Sequence, residues 1–102
     1  MITYRKGHEV DIIRLSELFR DNGYEDLADD FKVLFRMVEN SGTVFTAWDF
    51  DYMVGFINTV PGENSVEYVL VDREYSDMEI EKELRERISG FVTRQSNNEL
   101  PS

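Results

Sequence analysis

Few residues in this chain of 102 are of types that could do chemistry, and no cysteine is among them. The single histidine, His8, stands near Glu9 and Asp11, a grouping suited to a general base or to part of a metal site. One imidazole without thiolates supplies no customary zinc set and no thiol nucleophile. His8 is therefore read as a solvated loop histidine. A second group, Glu25, Asp26, Asp29 and Asp30, has the charge to bind calcium but lacks the alternating oxygen spacing and the glycine of a calcium loop. It falls at a helix start, where carboxylates complement the positive end of the helix dipole, and is read as a solvated face. The third group is Ser76-Asp77-Met78-Glu79-Ile80-Glu81. Ser-x-x-Glu before an apolar stripe reads as a capping box, with Ser76 as N-cap, Glu79 at N3, and Tyr75 and Ile80 at the staple positions. These carboxylates are expected to start a helix.

The elements that position these groups follow from hydrophobic period. Ile2 to Lys6 alternates, with Ile2 and Tyr4 on one face and Thr3 and Arg5 on the other, and predicts an edge strand. From Asp11 to Asn22, Ile12, Leu15, Leu18 and Phe19 fall at helical spacing behind Asp11 as N-cap, and Asn22-Gly23 stops the helix. Leu27, Phe31, Leu34, Phe35 and Val38 predict a second helix over about Asp26 to Glu39, and their spacing assigns Phe31, Leu34 and Phe35 to the core rather than to a ligand pocket. The period then changes to two. Thr43 to Trp48, Tyr52 to Val60 and Ser65 to Val71 predict three strands, joined through Asp49-Phe50-Asp51 and Pro61-Gly62-Glu63-Asn64 as turns. Ile80, Leu84, Ile88, Phe91 and Val92 predict a third helix over about Asp77 to Val92, supported by Glu81–Arg85 and Glu83–Arg87 pairs. Residues 1–92 make one domain, and the polar stretch 93–102 is expected to be disordered or loosely attached.

Composition narrows the function classes. Thirteen aromatic residues (seven Phe, five Tyr, one Trp) are enough for a core, and the length allows one domain. Eleven basic against twenty-one acidic residues leave a formal charge of -10, which disfavours binding to a phosphate backbone, so no nucleic-acid partner is expected. An acidic decoy for a basic surface is the one nucleic-acid-related role that such a charge allows. No apolar run approaches the roughly 20 residues of a membrane span, and no secretory pattern opens the chain. A cytoplasmic location without membrane contact is expected.

The order β-α-α-β-β-β-α, with two local matches, is similar to the first two-thirds of the GNAT superfamily of acetyl-CoA-dependent N-acetyltransferases. Ala47-Trp48-Asp49-Phe50-Asp51-Tyr52-Met53-Val54-Gly55-Phe56 resembles the family's second and third strands with their acidic turn and Val-Gly-Phe step. Val69-Leu70-Val71-Asp72-Arg73-Glu74-Tyr75 resembles the end of its fourth strand. The resemblance implies an α+β fold, a four-stranded antiparallel sheet with three helices, lacking the family's closing strands and fourth helix, which Thr93 to Ser102 is too short to form. It also places the acetyl-CoA site at Leu70, Val71, Ser76, Asp77, Glu79 and Glu81. There the family has a loop of Gly-x-Gly-x-Gly or Gly-x-Gly-x-Ala, whose N–H groups hold the pyrophosphate. Here Asp77, Glu79 and Glu81 stand at the three glycine positions, adding side chains and negative charge where an anion would dock.

These readings favour a non-catalytic interaction or regulatory module that binds no cofactor and has no catalytic or metal-ligating residue. The alternative is an acetyl-CoA-dependent N-acetyltransferase completed by a second subunit. In the resembled fold the strand Ser65 to Val71 would have one open edge, so a homodimer across that edge or sheet face is expected, beside a protein partner that the sequence does not identify.

Overall fold

The computed structural model describes residues 1–99. Strand β1 (Ile2–Lys6) is followed by helices α1 (Ile12–Asp21), α2 (Glu25–Ala28) and α3 (Phe31–Asn40), strands β2 (Val44–Asp49), β3 (Tyr52–Thr59) and β4 (Val66–Val71), a 3-10 helix (Arg73–Met78) and helix α4 (Ile80–Glu99). The four strands form one antiparallel sheet in the order β1-β2-β3-β4. As expected, β1 is an edge strand and β2, β3 and β4 form a meander. Among the described residues, no helix is long and apolar enough to cross a membrane.

Alternation of side chains along the strands feeds two cores. Val44, Trp48, Met53, Phe56 and Leu70 face Leu15, Leu18 and Phe19 of α1, Ala28 of α2, and Leu34 and Val38 of α3. Phe45, Ala47, Val54 and Ile57 face Ile80, Leu84 and Ile88 of α4. On β1, Tyr4 lies under the Arg87 guanidinium and Lys6 reaches the Phe91 ring, which ties α4 to this edge. A register shift at Ala47/Trp48 turns the consecutive residues Val54 and Gly55 toward α4. A second shift at Asn58/Thr59 interrupts the β3–β4 ladder, and the buried Asn58 side chain closes the gap. Its Oδ1 accepts from the Tyr68 N–H at 2.9 Å, while Nδ2 donates to Glu67 Oε1 at 2.8 Å and to Ser41 Oγ at 2.9 Å.

The first helix is capped as its sequence predicts: the Asp11 carboxylate accepts from the Ile13 and Arg14 N–H groups. The second predicted helix is not continuous. Asp29 ends α2, and Asp30, in extended conformation (φ -118), caps α3 by accepting from the Val33 N–H at 3.2 Å. The break re-aims α3, so that Leu34 and Val38 are buried while Phe31 and Phe35, expected in the core, are 50% and 57% exposed. At the other end, α4 keeps its predicted apolar stripe and continues through Glu99 rather than ending at Val92. Of the stretch expected to be disordered or loosely attached, residues 100–102 lie outside the described residues.

At Gly55 α4 packs directly on the sheet. A Cβ there would lie 2.9 Å from Ile80 Cγ2, 3.1 Å from Leu84 Cδ1 and 3.2 Å from the Ala47 Cβ. Gly55→Ala is expected to cost about 1–3 kcal/mol by overpacking, read as a lower urea midpoint at unchanged slope. An unchanged midpoint would show that α4 can shift freely on the sheet.

Candidate functional site

The residues that the resemblance assigned to a cofactor run from the end of β4, through its connection to α4, into the first turn of α4. Leu70 is buried and Val71 half-buried in the sheet, while Ser76, Asp77, Glu79 and Glu81 are exposed. Between them lies Asp72, which is buried and engaged at every polar group. Its N–H donates to the Val54 carbonyl at 2.9 Å, its Oδ1 accepts from the Glu74 N–H at 2.9 Å, and its carbonyl accepts from the Tyr75 N–H at 2.9 Å. Asp72 is thereby the N-cap of the 3-10 helix.

This cap displaces the one expected from the sequence. Ser76 lies inside the 3-10 helix, Glu79 is left-handed (φ 55, ψ 29), and the α-helix begins only at Ile80. The capping box of Ser76 and Glu79 therefore does not form. Asp72 has already drawn residues 73–78 into a tighter helix, so the α-helical count starts later than Ser-x-x-Glu implies. Of the two residues expected as a staple, Ile80, the first residue of α4, is buried against the sheet, and the half-buried Tyr75 packs against the same cluster. Glu79 occupies a backbone region natural to glycine, at a strain of order 1–2 kcal/mol for a residue with a Cβ. The carboxylates of Glu81 and Glu83 pair with Arg85 and Arg87 at 3.0 and 2.8 Å, as expected.

Two contacts anchor this connection to the rest of the fold. Arg14 of α1, 7% exposed, donates from Nη2 to Asp72 Oδ2 at 2.8 Å and from Nε to the Met53 carbonyl at 2.9 Å, with Nη1 on the Glu17 carboxylate and its guanidinium 4.0 Å from the Tyr52 ring centre. Burial pushes the Arg14 pKa down, but bonding to the Glu17 and Asp72 carboxylates outweighs this and holds it above its ordinary value. The second anchor is the Tyr75 hydroxyl, which donates to Asp49 Oδ2 at 2.7 Å. Arg14 was not singled out in the sequence, although its spacing of four from Leu18 places it on the inward side of α1.

Beside the connection lies a cavity of about 430 Å³ lined by Arg14, Arg20 and Arg73, by Glu17, Asp21, Asp72 and Glu74, and by Tyr52. Three guanidinium groups against four carboxylates leave it without the positive excess that a pyrophosphate needs. Arg73 is also engaged, donating to the Asp21 carbonyl at 2.9 Å.

The other two sequence candidates have structural employment. The exposed His8 ring donates from Nε2 to the Ser41 carbonyl at 2.8 Å, so it ties its loop to the end of α3 rather than standing free in solvent. Glu25 and Asp26 lie in the first turn of α2, Asp29 pairs with Arg20, and Asp30 caps α3. Among the described residues no group of three or more potential metal ligands comes together.

The Tyr75 hydroxyl is pushed up to about 12, first by its hydrogen bond to Asp49 and then by burial and the Asp49 charge. The fold prefers the protonated phenol. Its contribution to stability is therefore complete below the ordinary tyrosine value near 10 and is lost as pH rises from there toward 12. Tyr4 and Tyr68 are also raised, chiefly by burial, and act in the same direction. Tyr75→Phe is expected to flatten part of the alkaline loss of stability, measured by denaturation at a series of pH values. An identical profile would mean that the Asp49 bond does not hold in solution.

No family model matches the chain, and no curated protein matches it by sequence. Solved structures do match. A GNAT-family acetyltransferase from Streptococcus pneumoniae aligns at a TM-score of 0.73 and 24% identity, covering 91% of this chain and 69% of that one. A probable acetyltransferase of unknown function from methicillin-resistant Staphylococcus aureus aligns at 0.78 and 14%, covering 92% and 71%. The PaiA N-acetyltransferase from Thermoplasma acidophilum, solved in complex with coenzyme A, aligns at 0.66 and 13%, covering 92% and 74%. With more than nine-tenths of its length superposed on each of these, the chain has the fold of the GNAT acetyltransferases.

Proposed function

We propose that this chain is a non-catalytic module on the GNAT scaffold, an interaction or regulatory protein that does not bind acetyl-CoA. The observation that carries this reading is the closed β4–α4 connection. The Glu74 and Tyr75 N–H groups are bonded to Asp72, and Asp77, Glu79 and Glu81 stand exposed where the resembled family has glycine. A pyrophosphate would meet carboxylates where the family's loop lets its backbone approach, and the Glu74 and Tyr75 N–H groups just before them are already engaged.

One observation favours the alternative, an N-acetyltransferase completed by a second subunit. Among the described residues β4 pairs only with β3, and its outer edge carries the exposed Val66, a surface on which another chain can add a strand. In either reading the Ser65 to Val71 edge is the place for a twofold partner.

Calorimetric titration with acetyl-CoA separates the two. The module reading expects no affinity tighter than about 100 μM, or roughly 5.5 kcal/mol, and a gain in affinity when Asp77, Glu79 and Glu81 are all replaced by glycine. Tighter binding by the unaltered chain would overturn it and leave the alternative.

A further inference from the structure

Helix α3 turns two phenylalanines outward. Phe31 and Phe35, one turn apart, line with Ile12 an apolar cavity of about 410 Å³ whose remaining walls are Lys32, Arg36 and Glu39. Large apolar side chains gathered on a surface mark a contact site. Around it, among the described residues, Lys32, Arg36 and Glu39 form no salt bridge within the chain, so their charges are open to a partner.

We infer that the exposed face of α3 is a self-association surface, and that its occupant is the α3 of a second copy of this chain, packed antiparallel across a twofold axis. The reason is that the face complements itself. An axis crossing α3 between Phe35 and Arg36 leaves Lys32 and Glu39 equally far from it on either side, so Lys32 of each copy meets Glu39 of the other. The same axis sets Arg36 of each copy against Phe35 of the other, a cation over an aromatic ring. A twofold contact makes every such pair twice. The rings of Phe31 and Phe35 are then withdrawn from water, which is the gain that opposes the repulsion between two chains of charge -10. This surface shares no residue with the β4 edge or the β4–α4 connection, so it goes beyond the proposed function and stands whether or not acetyl-CoA binds.

Sedimentation equilibrium of the full chain tests it, with circular dichroism to confirm that each variant folds. Lys32→Glu and Glu39→Lys are each expected to weaken the dimer about tenfold, or about 1.4 kcal/mol. The double exchange Lys32→Glu with Glu39→Lys is expected to recover most of that loss, and Phe35→Ser to abolish the α3 contact. The series is repeated with Val66→Lys, which places a charge on the β4 edge. Survival of the dimer there, with the same response to the exchanges, supports α3. A monomer at about 100 μM, single variants without effect, failure of the double exchange to recover, or a dimer lost with Val66→Lys alone would each overturn the inference.

Discussion

One guanidinium holds three parts of this fold in register. Arg14 projects from α1, is buried against the Tyr52 ring, and bonds the Met53 carbonyl of β3 and the Asp72 carboxylate at the end of β4. Neither charge is accessible to water to any useful extent, so removing one would strand the other, a loss of about 3–5 kcal/mol for a buried pair. Among the described residues no buried side-chain nitrogen or oxygen lacks a hydrogen-bond partner. The pair is therefore retained in a setting where its desolvation is repaid by bonding on every side.

The same ion pair sets the path by which the chain leaves the sheet. Asp72 is fixed by Arg14 and so becomes a cap for the residues after it, which close into a 3-10 helix, and the Tyr75 hydroxyl secures that helix to Asp49 at the far end of β2. The left-handed Glu79 then redirects the chain so that Ile80, Leu84 and Ile88 fall on the sheet, the first two over Gly55. A scaffold that in other proteins carries acetyltransferase activity is built here around a connection whose Glu74 and Tyr75 N–H groups face inward to Asp72.

Most of the fold was legible because most of it is periodic. The alternation of β1, the Asp11 cap and the stripe Ile80, Leu84, Ile88 are local patterns, and each appears in the structure as written. The errors occur where a pattern continues across a break it cannot register. Leu27 and Phe31 are four apart, which keeps helical phase across Asp29-Asp30, so the sequence offers no change of period at the point where Asp30 starts a new helix. With that break missed, Phe31 and Phe35 were assigned inward. Similarly, Ser76 and Glu79 have the right types and spacing for a cap, but Asp72 reaches the backbone first, and its advantage depends on Arg14, 58 residues away. The residues of the β4–α4 connection are named by the sequence, whereas its conformation depends on a tertiary contact.

The direct test of this account is amide hydrogen exchange at Glu74 and Tyr75, monitored by nuclear magnetic resonance with and without excess acetyl-CoA. If Asp72 holds both N–H groups, they exchange slowly in the free protein and the rates do not change when the ligand is added. Rapid exchange in the free protein, or new protection on addition of acetyl-CoA, would contradict a connection closed on itself.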